Sequence, residues 1–209
     1  MENDLRALHW DEYYSHLKAP SYPSQFAAFV LGELDPCWIA DVGCGNGRDT
    51  IFFASQGVPA VGIDQSAAAI EVGRSRAKDL PVSFQHTDLS DVELTELFPV
   101  SSQFSHRPLV YGRFFLHAID ECEEFAFLKN CRNFLAAFGG NLALEFRTER
   151  DRDLTKITPS HFRRFVDPVQ LLTRAEQFGL QPLYFIEGNG MAKYGSDDAH
   201  VARIVFNLE

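Results

Sequence analysis

An α/β fold wound around a mostly parallel sheet is predicted by three observations. Apolar runs of strand length alternate with amphipathic stretches of helix length along most of the chain. The first run, Trp38 to Val42, leads into glycines at alternate positions (Gly43, Gly45, Gly47) and then a helical stretch from Arg48 to Gln56. The next two runs, Gly57 to Asp64 and Pro81 to His86, each have an acid at or just beyond their ends, Asp64 and Asp88. The carboxyl ends of strands are where open α/β sheets hold their ligands.

Taken in order, residues 1–35 predict a helical cap of two short helices. Leu5, Leu8, Tyr13 and Leu17 mark the first, and Phe26, Phe29, Val30 and Leu34 the second, with the breaker Ala19-Pro20-Ser21-Tyr22-Pro23 between them and Ser24 as N-cap. The remaining domain, 36–209, opens on Asp41-Val42-Gly43-Cys44-Gly45-Asn46-Gly47-Arg48-Asp49. Glycine permits the tight turn there, and the N–H groups that open the following helix suit an anionic or polar group. A phosphate-cradling loop requires Gly-Lys-Ser or Gly-Lys-Thr, and this chain has Gly47-Arg48-Asp49. A dinucleotide loop spaces its glycines G-x-G-x-x-G, and here Arg48 stands at the third glycine's place, which disfavours a nicotinamide dehydrogenase.

Asp64 lies 21 residues beyond Gly43, close to the spacing at which an acid reaches ribose hydroxyls in nucleoside-binding α/β folds. Ser66 caps a helix from Ala67 to Lys78, and Pro81 to His86 is a strand in which His86 alternates with Phe84 as a structural residue. Leu109 to Phe114 is a fourth strand, and His117 follows it closely. Glu121 to Ala137 is a long helix with Cys122, Phe125, Leu128, Cys131 and Leu135 as its apolar stripe, closed by Gly139-Gly140. Asn141 to Arg147 is a fifth strand whose alternation sets Glu145 and Arg147 on one face at the ligand end.

The charged stretch 148–166 is expected to be solvated, except that His161, Arg163 and Arg164 suit acceptor recognition through bidentate arginine contacts. Asp167-Pro168 opens a helix with the stripe Val169, Leu172, Ala175 and Phe178, and strands Leu180 to Ile186 and His200 to Leu208 finish the chain.

The glycine loop preceded by an acid, with Asp64 and Asp88 at their spacings, resembles the class I S-adenosylmethionine (SAM) methyltransferases over residues 37–208. That resemblance implies a Rossmann-like, doubly wound sheet of seven strands, mostly parallel with the last antiparallel. It implies SAM as cofactor and S-adenosylhomocysteine (SAH) as product. Carried onto this chain, Asp41, Gly43, Cys44, Gly45, Asn46, Arg48 and Asp49 form the cofactor loop. Asp64 and Gln65 serve the ribose, and Asp88 and the Leu89 backbone the adenine. Tyr111 and Arg113 lie beneath the methionine part, with Tyr14 (beside Tyr13 and Ser24) in the covering segment. The family usually has an acid at the start of the fourth strand; Arg107-Pro108 stands there instead. His117, His161 and Glu145 are the candidate bases for a hydroxyl acceptor. Tyr111 to Ile119 and the Gly190-Met191-Ala192-Lys193-Tyr194-Gly195 loop are similar to enzymes encoded with surface-polysaccharide or phospho-sugar genes. The Gly-Asn-Gly-Arg-Asp loop is also similar to thiopurine and tellurite-resistance methyltransferases.

Composition bounds the partners. The chain has 209 residues, 45% hydrophobic and 23% charged, which fits one sizeable domain. A net charge of −10 argues against a general nucleic-acid binder. The four cysteines show no metal spacing, the acidic N-terminus has no signal-peptide layout, and no apolar run reaches membrane-span length. A cytoplasmic enzyme acting on a small-molecule or glycan substrate is expected, as monomer or homodimer. Methylation on oxygen leads; S- or N-methylation of a soft nucleophile and a SAM-sensing module without catalysis are the alternatives.

Overall fold

The computed structural model describes residues 10–15, 20–99, 107–154, 156 and 163–209. Strands β1 (Trp38–Val42), β2 (Ala60–Asp64), β3 (Val82–His86), β4 (Pro108–Arg113), β5 (Asn141–Arg147), β6 (Leu180–Gly188) and β9 (Val201–Leu208) form a seven-stranded sheet in the order β3-β2-β1-β4-β5-β9-β6. All pairings from β3 to β5 are parallel, and β9 runs antiparallel to both β5 and β6. The predicted class and the antiparallel last strand are therefore present. Strand order reverses between β1 and β4, which opens a crevice at their carboxyl ends. A two-stranded ribbon, β7 (Lys193–Tyr194) with β8 (Asp197–Asp198), interrupts the chain between β6 and β9.

Period-two alternation divides the core between the two faces. Ala40, Val42, Val110, Leu142, Leu144 and Ile204 face α5 (Glu121–Phe138), α6 (Pro168–Glu176) and the short α4 (Leu94–Leu97). Ile39, Leu109, Tyr111, Ala143 and Val205 face α1 (Gln25–Leu34) and α2 (Arg48–Ser55). Phe26 of α1 stacks on Tyr111 at 5.2 Å, and Phe53 of α2 meets the same ring edge-on at 5.2 Å. Truncating such a fully buried phenylalanine costs about 3–5 kcal/mol. Ser24 caps α1 as expected, accepting from Ala27 N, and Ser66 caps α3 (Ala67–Arg76). Asp120 opens α5 with a reciprocal capping box to Glu123.

Two helical stripes differ from expectation. On α5 the buried residues are Glu124, Phe127, Leu128, Cys131, Phe134 and Leu135, whereas Cys122 and Phe125 are exposed. On α6 they are Pro168, Leu171 and Ala175, and Val169 is 67% exposed. Both sequences carry more apolar residues than one face holds, so spacing alone could be laid on either of two adjacent stripes. The described part of stretch 148–166 is also less solvated than expected: Asp151 is fully buried, accepting from Arg147 Nη1 at 2.6 Å and from His200 N at 2.9 Å. Among the described residues, no helix is long and apolar enough to cross a membrane.

Candidate functional site

At the switch point a cavity of about 510 Å³ runs from the β1–α2 loop and the ends of β2 and β3 to the ends of β4 and β5. That size lies within the range of small-ligand pockets. One wall begins at the glycine loop. Gly43, Gly45 and Gly47 all have positive φ, between 55° and 71°. At Gly43 an added Cβ would come 2.9 Å from the Phe115 ring, and at Gly47 2.5 Å from Phe84, so close packing as well as backbone conformation demands glycine. Gly43 N and Cys44 N both donate to the Ile63 carbonyl, which pins the loop to β2.

Asp64 then fixes the loop from the other side. Its Oδ2 accepts from Gly45 N at 2.8 Å and its Oδ1 from Ser66 N at 2.9 Å. Each carboxylate oxygen keeps acceptor capacity for further donors. Burial raises its pKa, opposed by those two backbone bonds. Gln65, Asp88 and Leu89 continue this wall along the ends of β2 and β3. The Tyr14 hydroxyl closes over Gly45, where a Cβ would meet its oxygen at 2.1 Å, so the loop passes directly under this ring. Tyr14 packs edge-on with Tyr13 at 5.0 Å and against Trp10 at 6.3 Å, and all three rings line the cavity. Asn46 ties the same segment down by donating to the Pro20 carbonyl at 3.2 Å.

Beneath the loop lies a buried acid pair. Asp41, 2% exposed, accepts from Thr50 Oγ1 at 2.5 Å. Burial, then the neighbouring charge of Asp49, pushes its pKa up to about 8. Asp49 accepts from Ser24 N, Ser24 Oγ and Tyr111 Oη at 2.7, 2.8 and 2.9 Å, which binds α1 to the start of α2. Arg48 lies alongside, its Nε 3.7 Å from Asp49 Oδ1. Burial lifts the Cys44 thiol well above its ordinary value, so that side chain is a neutral, packed group.

The opposite wall is built by cross-strand register. Arg113, Glu145 and Arg203 occupy one row across β4, β5 and β9. Glu145 Oε1 accepts from Arg113 Nε and Oε2 from Arg203 Nε, both at 2.7 Å. Arg113 faces the cavity, its guanidinium 4.1 Å over the Phe114 ring. Phe114 holds a φ of 58°, unusual for an aromatic residue, while its N–H donates to the Glu145 carbonyl at 2.7 Å. His117, 4% exposed, lines the cavity with its ring 5.1 Å from Phe114. Ala192 packs on Phe114, and Tyr194 closes this end.

Most of the residues singled out in the sequence thus converge on one cavity. Two of them stand elsewhere. Tyr111 is fully buried and supports Asp49 from below rather than lining the cavity floor. Glu145 is 1% exposed with both oxygens taken by arginines, so it is an ion-pair anchor and does not serve as a proton acceptor. The expected acceptor trio also divides. Arg163 lines the cavity, while Arg164 bonds Glu124 and the Leu116 carbonyl and clamps 163–166 to α5. His161 lies outside the described residues. Both the Tyr111–Ile119 stretch and the Gly190–Gly195 loop stood out in the sequence, but the left-handed backbone of Phe114 and the pairing of Lys193–Tyr194 with Asp197–Asp198 escaped sequence reading.

Residues 39–139 match a family model described as a methyltransferase domain. A ubiquinone biosynthesis O-methyltransferase from Alkalilimnicola ehrlichii is 35% identical over 71 residues, 34% of this chain; the match spans 29% of that enzyme. A TehB-like SAM-dependent methyltransferase from Corynebacterium glutamicum superposes with a TM-score of 0.65 at 18% identity, over 100% of this chain and 98% of that one. Magnesium protoporphyrin IX methyltransferase from Synechocystis, solved with bound SAH, gives 0.63 at 17% identity over 88% and 80%. These structures share the fold. The match to the methyltransferase domain from Ile39 to Gly139 takes in the glycine loop at the switch point, and the sheet has the fold of the SAM-dependent methyltransferases.

Proposed function

We propose that this chain transfers a methyl group from SAM to a small-molecule or glycan acceptor, on oxygen. One observation carries the reading: a single cavity joins the glycine loop, Asp64 and Asp88 to a second compartment at His117, Arg113 and Phe114. The donor set suits SAM. Asp64 serves the ribose hydroxyls, Asp88 and the Leu89 N–H the adenine edge, and Asp41 and Asp49 the cationic methionine end. Residues 10–15 act as a cover, with Tyr14 shielding the loop from water. When bound, SAM supplies an electrophilic methyl group on its sulfonium.

The chain then has two tasks, to align the acceptor oxygen and to remove its proton. Alignment and exclusion of water by Phe114, Phe115 and the aromatic cover lower the barrier by several kcal/mol. His117 takes the proton, since it is the imidazole lining the acceptor compartment among the described residues. Its presence favours a hydroxyl acceptor over a soft nucleophile, which needs no base. The 71-residue similarity to an O-methyltransferase supports the same atom. Four free thiols support a cytoplasmic location.

Calorimetric titration with SAM, SAH and NAD tests the cofactor. Micromolar binding of the first two, none of NAD, and loss of at least tenfold in Asp64→Ala are expected. Folded protein that binds neither SAM nor SAH would overturn the reading.

A further inference from the structure

Charge is divided along the cavity. The cofactor half carries Asp49, Asp64 and Asp88 against Arg48, with Asp41 holding its proton below about pH 8. That excess of carboxylate matches a ligand whose methionine end carries two positive charges and one negative.

The other half is arranged in the opposite sense. Two arginines, Arg113 and Arg203, share the single carboxylate of Glu145, leaving one positive charge in excess. Arg147 is held by Asp151 and Asp197 through bonds of 2.6 and 2.7 Å, and Lys156 also contacts Asp151, so this group sums to zero. Arg163 adds a further positive charge; burial and the nearby charge of Arg147 both depress its pKa. Lys193, which also lines this end, pairs with Asp198, so the described groups of this wall carry six cations, Arg113, Arg203, Arg147, Lys156, Arg163 and Lys193, against four anions, Glu145, Asp151, Asp197 and Asp198, a sum of +2. A protein of net charge −10 concentrates positive charge at the one compartment that SAM does not need. Unbalanced charge of one sign on low-dielectric walls attracts a ligand of the other sign.

The surfaces between these cations are aromatic. Phe114 lies under the Arg113 guanidinium at 4.1 Å and within 5.4 Å of that of Arg147. Tyr13 and Tyr194 line the same cavity as Arg163.

Resting on the methyltransferase reading above, we infer that the acceptor is an oxyanion, a carboxylate or phosphate attached to a flat or apolar body. Arg163 and the Arg113 terminal nitrogens receive its charge, and Phe114, Tyr13 and Tyr194 receive its body. The anion is the recognition handle, and the methylated oxygen sits nearer His117.

The test is equilibrium binding to the SAH-saturated protein, with benzoate, phenyl phosphate and neutral benzyl alcohol as probes. At least one anionic probe is expected to bind ten times or more tighter than the alcohol, and preference between the two anions identifies the carboxylate or phosphate class. In Arg163→Gln the anion preference falls at least fivefold with SAH affinity unchanged, and Arg163→Lys recovers part of it. Equal binding of charged and neutral probes, or binding of none of them while SAH still binds, overturns the inference. An equal loss of SAH affinity in Arg163→Gln overturns it as well. Failure of SAH itself to bind would strike the cofactor reading instead, so the two outcomes separate.

Discussion

Asp41→Asn should make the cofactor-free protein more stable, and increasingly so as pH rises. Asp41 is buried with its pKa raised from 3.8 to about 8. Below pH 3.8 the folded and unfolded chains both hold the proton, so nothing is lost. Between 3.8 and about 8 the unfolded chain releases it while the folded chain keeps it, and stability falls with pH. At about 1.36 kcal/mol per pH unit, the loss reaches at most about 5 kcal/mol at pH 8. Of this, up to about 4 kcal/mol accrues between pH 5 and pH 8. Asparagine keeps the shape and the acceptor for Thr50 Oγ1, and its amide donor replaces the proton of the neutral acid, so the substitution isolates the charge. Urea unfolding of both proteins at pH 5 and pH 8, without cofactor, reads the difference. A wild-type advantage at pH 8, or a difference that does not grow with pH, would refute the reasoning. The same variant should bind SAH at least tenfold more weakly, which makes Asp41 a residue kept for the ligand at the expense of the fold.

Glu145→Gln should destabilise the protein by about 3–5 kcal/mol in urea unfolding, because two buried arginines lose their shared counter-charge; little change in stability with a selective loss of turnover would restore it as a base. Gly47→Ala should cost about 2–4 kcal/mol, combining a φ of 71° with a Cβ 2.5 Å from Phe84. Gly57→Ala, at a φ of 84° with nothing within 4 Å, should cost only about 1 kcal/mol, and equal midpoints for the two would refute the packing argument.

The glycine-loop half of the cavity is legible in the sequence because it is local. Asp41, the three glycines and Asp64 follow from a strand, a turn and a helix whose spacing the backbone itself dictates. Tyr111 and Glu145 were misplaced for the opposite reason. Alternation assigns each to a face of its strand, but their roles depend on partners on other elements, Asp49 on α2 and Arg203 on β9. Side-chain partnership across 62 and 58 residues leaves no periodic trace. The same holds for Glu124, buried in the first turn of α5, where Arg174 from α6 meets it at 2.6 Å and Arg164 also bonds it. Phe114 could not be foreseen either, since nothing in Arg113-Phe114-Phe115 announces a left-handed residue.

The ribbon between β6 and β9 has a consequence for how such an enzyme diversifies. Asp197 reaches Arg147 of β5, and the Met191 carbonyl receives a bond from Arg203 of β9 at 2.8 Å. Both moorings belong to strands on the far side of the switch point, and neither involves the β1–β3 half that carries the glycine loop, Asp64 and Asp88. A lineage can therefore lengthen, shorten or recode this ribbon while inheriting its cofactor machinery intact, and retool for a new acceptor by editing one surface excursion.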